Sequence, residues 1–264
     1  MPQSLSILYT PLPQCPDNEL RLWRRAFEAA LAPWLDARQM AHVRRFGRPA
    51  TLQRAEPGAA PSTEALRAGL SRLLARAQLV TRAARRGKTS TGVAPAFRVA
   101  ENNQGRPLLA GWQTGFSHSG LAAFCALAPA EGQHIATFAL DAESVAAAPP
   151  AASAFAKAEL PAEAGLTQPF ADREALRRWT IKESLLKAAG LGIGMPPASV
   201  PTGWPGQRTG LWRGPLGQLG WRVVPCPGHW LCLAQGGKIP PQPSLRHMGA
   251  QELLRELARL NRTI

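Results

Sequence analysis

Two acids stand one residue apart, Asp141 and Glu143, at the end of the mostly apolar run His134–Glu143. Read as a strand, this run turns both carboxylates to the same side, with Cα atoms about 6–7 Å apart. Two carboxylates so placed can lean onto one hard cation. A third would make a magnesium site, since Mg²⁺ takes a few carboxylate oxygens and leaves room for water and a substrate phosphate. Glu183 is the candidate. It lies in the stretch Trp179–Gly190, which reads as a helix. At about 100° per residue, Trp179, Glu183, Leu186, Lys187 and Gly190 share one face, and Ile181, Leu185 and Ala188 lie on the opposite, apolar face. Lys182 points off the Glu183 face. The plainer alternatives are an i, i+4 ion pair on a solvated helix and a polar strand end entering a loop.

These groups need elements to hold them. The helix starts at Asp172 or a nearby residue. It ends at Gly190, Gly192 and Gly194, and Pro196-Pro197 forbid its continuation. A second constellation precedes it: Ser117-His118-Ser119, on a loop from Phe116 to Gly120 that enters the buried strand Leu121–Ala128, with Arg106 upstream. Short hydroxyls, an imidazole and exposed N–H groups suit an anion, so the segment reads as a phosphate clamp.

Asp141-x-Glu143 followed by Trp179-x-x-Lys182-Glu183-Ser184-x-x-Lys187-x-x-Gly190 resembles the signature pair of the 4'-phosphopantetheinyl transferases, in particular the longer, two-lobed type that activates surfactin synthetase. Gly105-Arg106-Pro107 and Phe116 to Gly120 are similar to a third motif of that family, in the family's order. The specific likeness covers roughly residues 105–195. It implies an α+β fold, a pseudo-dimer of two similar lobes, each a small antiparallel sheet packed with helices, with coenzyme A between them. It implies transfer of 4'-phosphopantetheine from coenzyme A to a serine of an apo acyl or peptidyl carrier protein, with release of adenosine 3',5'-bisphosphate. Asp141, Glu143 and Glu183 would hold Mg²⁺, and Lys187 would offset charge on the phosphate. Ser117 and His118 would meet the coenzyme A phosphates, with Arg106 (where Lys is usual), Arg44, Arg45 and Lys182 as further contacts. The general base is left open between Glu183 and a water on the metal. Ala142 and Ala139 depart from the usual pattern beside the acids, and Ala65 stands where the family often has Arg.

The whole chain fits this frame. Its 264 residues suit two lobes, taken as 1–130 and 131–240, with a tail helix in 241–264. Residues 4–10 read as a first strand, Glu19–Leu35 as a helix with Leu20, Trp23, Phe27 and Leu31 inward, and Thr63–Arg76 as a helix with Leu66, Leu70, Leu73 and Leu74 inward and Arg67, Arg72 and Arg76 outward. Ala83–Gly92 reads as a basic linker, Phe97–Val99 as a short strand, residues 129–133 as a hairpin at the lobe boundary, and Phe155–Leu160 as the start of a helix. Gly210–Trp212, Gly220–Val224 and His229–Ala234 read as antiparallel strands. A Pro-rich segment, 236–245, leads to an amphipathic helix, Gln251–Asn261, that extends past the family's usual end. Four cysteines without C-x-x-C spacing read as reduced, partly buried thiols. No transmembrane span or secretory leader is evident, which predicts a cytoplasmic protein, taken as a monomer.

The net charge of +14 calls for anionic partners. Carrier proteins are usually acidic helical bundles and complement it. A nucleic-acid-binding protein has only this charge in its favour, since the basic residues are dispersed and no binding motif appears. A non-catalytic relative that binds coenzyme A or a carrier is the remaining alternative.

Overall fold

The computed structural model describes residues 5–45, 62–86, 98–101, 107–119, 121–130, 137–160, 165 and 167–263. In chain order the elements are β1 (Ser6–Pro11), α1 (Asp17–Leu31), α2 (Ala37–Arg45), α3 (Thr63–Arg86), β2 (Ala100–Glu101), β3 (Pro107–Leu108), β4 (Trp112–Ser119), β5 (Ala122–Pro129), β6 (Phe138–Ser144), α4 (Phe170–Ala188), β7 (Thr209–Gly214), β8 (Gly217–Cys226), β9 (His229–Gly236), β10 (Ser244–His247) and α5 (Ala250–Asn261). The fold is α+β, with two four-stranded sheets in the orders β10-β1-β5-β4 and β6-β9-β8-β7. No described helix is long and apolar enough to cross a membrane.

The chain divides into two compact units. An N-terminal unit takes in Ile7–Thr114, Gly120–Leu127 and Arg246–Ile264, and a C-terminal unit takes in Met1–Ser6, Gly115–Ser119 and Ala128–Leu245. The cut is not the simple one near residue 130. The last five residues of β4 group with the C-terminal unit, and the tail helix returns to the N-terminal one.

In the N-terminal unit, α1, α3 and α5 pack together through the apolar faces read from the sequence. Leu20, Phe27, Leu31, Leu66, Leu70, Leu73, Leu74, Leu253 and Leu257 are all buried. Asn261 ties α5 down, accepting from the Trp34 indole at 2.6 Å and donating to the Ala30 carbonyl at 3.0 Å. Two expectations change here. The third helix does not stop at Arg76 but runs to Arg86, so Ala83–Arg86 is helix rather than linker. Arg76 does not point outward. It is 5% exposed, its Nε donating to Gln39 Oε1 at 3.1 Å, because α2 lies against α3 and covers it.

In the C-terminal unit, α4 lies across the antiparallel sheet. Ile181, Leu185, Leu186 and Ala188 bury themselves against Trp212, Trp221, Val223 and Cys232. A glycine stop ends α4 as the sequence predicts. Gly190 takes φ +67°, Leu191 N–H donates to the Leu186 carbonyl at 3.1 Å, and Gly190 N–H donates to Lys187 at 3.2 Å. Those two bonds satisfy carbonyls the helix would otherwise leave open. The segment at Phe155–Leu160 is not a helix start but holds one short 3₁₀ turn, Lys157–Glu159, which follows another at Ala152–Ala154. β10 adds a strand inside and beyond the stretch read only as Pro-rich. The linker beyond Arg86, Gly105, Arg106 and most of the 129–133 hairpin lie outside the described residues.

The register of the second sheet sets Asp141 opposite Cys232 and Glu143 opposite Trp230, leaving β6 as an edge strand. Gly115 lets the end of β4 come close to that edge. A Cβ there would stand 2.9 Å from the Leu140 backbone nitrogen and 3.0 Å from the Leu140 Cβ. Gly115→Ala should therefore lower stability by about 1–3 kcal/mol, since backbone on β6 must shift to admit the methyl. A urea unfolding midpoint unchanged from the wild type would show that the approach is not tight.

Candidate active site

The strand period and the helix period act together on one spot of the C-terminal unit. β6 presents Asp141 and Glu143, and α4 presents the stripe Trp179, Glu183, Lys187, each one turn from the next. Asp141 is 3% exposed. Its Oδ1 receives the Lys187 ammonium and also the Ser117 hydroxyl at 3.1 Å. Lys187 Nζ lies 3.9 Å from Glu183 Oε2. The Trp179 side chain neighbours Glu143 and favours its charged form. Thus three acids separated by up to 42 positions in the chain, a lysine and a serine share one electrostatic neighbourhood, and the simple solvated i, i+4 pair is not what forms.

The protonation equilibria reflect that crowding. Burial first, then the Asp141 charge, push Glu143 up to about 7 from 4.5, against the opposing pull of Lys187 and the Trp179 side chain. Burial and Asp141 raise Glu183 as well. Burial works to lower Lys187, but Asp141, Glu183 and Glu143 together outweigh it and hold its pKa above the ordinary lysine value. The arrangement therefore keeps one ammonium charged among acids, readies Glu143 to carry a proton near neutrality, and shifts Glu183 in the same direction.

Ser117 serves this neighbourhood in a way the sequence did not suggest. Its hydroxyl donates to Asp141 and accepts from the Ala142 backbone N–H at 3.0 Å, clipping β4 to the β6 edge. His118 next to it is exposed. Both lie within β4, which runs on to Ser119, and not on a loop; the sheet partner of β4 is β5. In the N-terminal unit, Arg44 and Arg45 are exposed at the end of α2. The Arg44 Nε lies 3.5 Å from Glu28 Oε2, and Arg45 is 3.4 Å from the His42 Nδ1. Arg106 lies outside the described residues.

Lys182 is placed differently from the contact to coenzyme A that the motif implies. Its side chain is fully buried, and its Nζ donates to Glu159 Oε2 at 2.6 Å and to the carbonyls of Pro197 at 2.9 Å and Val200 at 2.5 Å. Burial holds its pKa below the ordinary lysine value even against the attraction of Glu159. Glu159 also accepts from the Thr202 hydroxyl and backbone, at 2.6 and 3.0 Å, and Arg178 Nε pairs with Glu174 at 2.8 Å. The signature lysine is thus a buried strut on the side of α4 away from the Glu183 stripe. Only its place in the helix, one step off the acidic face, hinted at this.

The donor set suits a hard cation: three carboxylates, one of which, Asp141, has a buried Oδ2 with no hydrogen-bonding partner among the described residues. The described side chains do not stand as a ready group of three metal ligands, and it is Lys187 that sits against Asp141. The four cysteines form no disulfide, and burial pushes Cys232, behind Asp141 on β9, up to about 12.

Comparison with known proteins gives no matching family model and no matching curated protein.

Two outcomes test the geometry. Without metal, a carboxyl whose folded pKa is raised from 4.5 to about 7 adds stability that is complete below about 4.5 and lost as the pH climbs through 7. Glu143→Gln should flatten that part of the stability–pH curve, and an identical curve would place Glu143 in ordinary solvent. Lys182→Met should lower the urea midpoint by an amount equivalent to about 3–5 kcal/mol, since Glu159 loses its 2.6 Å partner and keeps only Arg178, at 3.5 Å, in a buried setting. A loss within about 0.5 kcal/mol would make Lys182 a surface residue.

Proposed function

We propose that this chain is a 4'-phosphopantetheinyl transferase that moves the phosphopantetheine arm of coenzyme A onto a serine of an apo acyl or peptidyl carrier protein. The observation that carries the reading is the meeting of Asp141 and Glu143 with Glu183 and Lys187, residues that the sequence resemblance had already grouped. Phosphoryl transfer leaves little covalent work for a protein, so positioned charge does most of it. In the reaction the carrier serine oxygen bonds to the β-phosphorus, the bridging pyrophosphate bond breaks, and adenosine 3',5'-bisphosphate leaves with the electron pair.

Each side chain has a part in that exchange. Glu183, whose carboxyl is pushed above its ordinary value by burial and by the Asp141 charge, would accept the serine proton. Lys187 stays cationic, held by Asp141, and offsets the negative charge on the departing phosphate. Ser117 fixes the Asp141 carboxylate. His118, Arg44 and Arg45, all exposed, would meet coenzyme A phosphates. Asp141, Glu143 and Glu183 would hold Mg²⁺, which when bound supplies charge neutralisation for the pyrophosphate. A cytoplasmic monomer acting on acidic carriers, and not on nucleic acid, completes the reading; the +14 charge favours the acidic partner.

One observation favours a second reading. Lys187 lies where a metal would approach Asp141 Oδ1, as it would in a relative that binds coenzyme A or a carrier without catalysing transfer. Intact-mass analysis of an apo acyl carrier protein incubated with the chain, coenzyme A and Mg²⁺ separates the two. Transfer adds about 340 Da to the carrier serine. Glu183→Gln should slow that gain by about 10²–10⁴-fold while keeping the wild-type unfolding midpoint. An unmodified carrier with wild-type chain would overturn the transferase reading.

A further inference from the structure

The N-terminal unit contains a cavity of about 380 Å³ between α3, β1 and the returning C-terminal segment. Two of its walls are cationic. Arg82 and Arg85, one turn apart on α3, line one side, and Arg246 and His247 of β10 line another. Leu8 and Met248, both buried, supply an apolar floor. One carboxylate, Glu252, belongs to the lining, and Glu256 engages Arg85 at 3.1 Å. Arg82 is 8% exposed, so its charge is held largely out of water. His247 is set by its ring contact with Tyr9, centroids 5.0 Å apart, and Met248 N–H donates to the Tyr9 carbonyl at 3.1 Å.

Three guanidinium groups against the one lining carboxylate, with Arg85 held by Glu256, leave positive potential inside the concave wall. The guanidinium fork matches phosphate oxygens two at a time, which an ammonium does not. The volume falls within the range of about 300–1,000 Å³ typical of small-molecule sites. The apolar floor asks for more than a bare ion.

We infer that this cavity is a binding site for a small phosphate monoester with a partly apolar body, separate from the acid–lysine cluster of the C-terminal unit and built in part by the C-terminal segment that the transfer chemistry does not use. The inference does not rest on the transferase reading. All lining residues belong to the N-terminal unit, and none is assigned to the reaction.

The test uses the full chain without metal, with phenyl phosphate as probe and inorganic phosphate as comparator. Calorimetry gives the affinity, and backbone amide NMR shifts at Arg85, His247 and Met248 give the place. Saturable binding of phenyl phosphate that shifts those amides and exceeds inorganic phosphate in affinity is expected. Arg246→Ala, at an exposed position that leaves the core untouched, should weaken it about tenfold or more. Glu183→Gln should leave it unchanged. Absence of those shifts, equal affinity in Arg246→Ala, equal affinity for inorganic phosphate, or loss of binding in Glu183→Gln would overturn the assignment.

Discussion

The arrangement of the C-terminal unit depends on one ion pair, Lys187 with Asp141. Asp141 is almost fully buried on an edge strand, beside two more carboxylates, and like charges at such range oppose one another strongly where water is scarce. Lys187 resolves part of that conflict by lying against Asp141 and near Glu183. The rest is resolved by shifting Glu143 and Glu183 toward the protonated form. Repulsion of this kind is unfavourable for stability and useful for a site that must receive a cation or move a proton.

The geometry holds because α4 is fixed from its other side. Lys182, Glu159, Arg178, Glu174, Arg177 and Thr202 form a buried polar network there. Arg177 adds bonds to Glu174 and to the carbonyls of Gln207, at 2.6 Å, and Trp204, at 3.2 Å. A helix with polar groups bonded on one side and an apolar side packed on Trp221 and Val223 cannot easily rotate. Its third stripe, Trp179–Glu183–Lys187, is consequently delivered to β6. The signature residues of the helix thus divide into two jobs: Glu183 and Lys187 face the site, and Lys182 anchors the element that carries them.

Local periodicity explains why much of this was readable in the sequence. Asp141-x-Glu143 needs only the strand period, the Trp179–Glu183–Lys187 stripe only the helix period, and Gly190 only its tolerance of positive φ. Strands β7 to β9 followed from apolar runs separated by Gly and Pro. What escaped was non-local. Nothing near Lys182 announces that Glu159, 23 residues earlier, will meet it. Arg76 looked solvent-facing until α2 covered it, and nothing near Ser117 announces its bonds to Asp141 and the Ala142 N–H, on a strand further along the chain. The Ala-Ala-Arg-Arg end of α3 carries too weak an apolar pattern to be told from a linker, although Ala83 and Ala84 are buried.

The central claim is that three acids and a lysine from two distant elements act on one another as a single site. Titration of the Glu143 side-chain carboxyl by ¹³C NMR, in the wild-type chain and in Asp141→Asn, tests it most directly. A midpoint near 7 in the wild type that falls when the Asp141 charge is removed, with burial still holding it above 4.5, is the predicted result. A Glu143 midpoint near 4.5 in both proteins would contradict it.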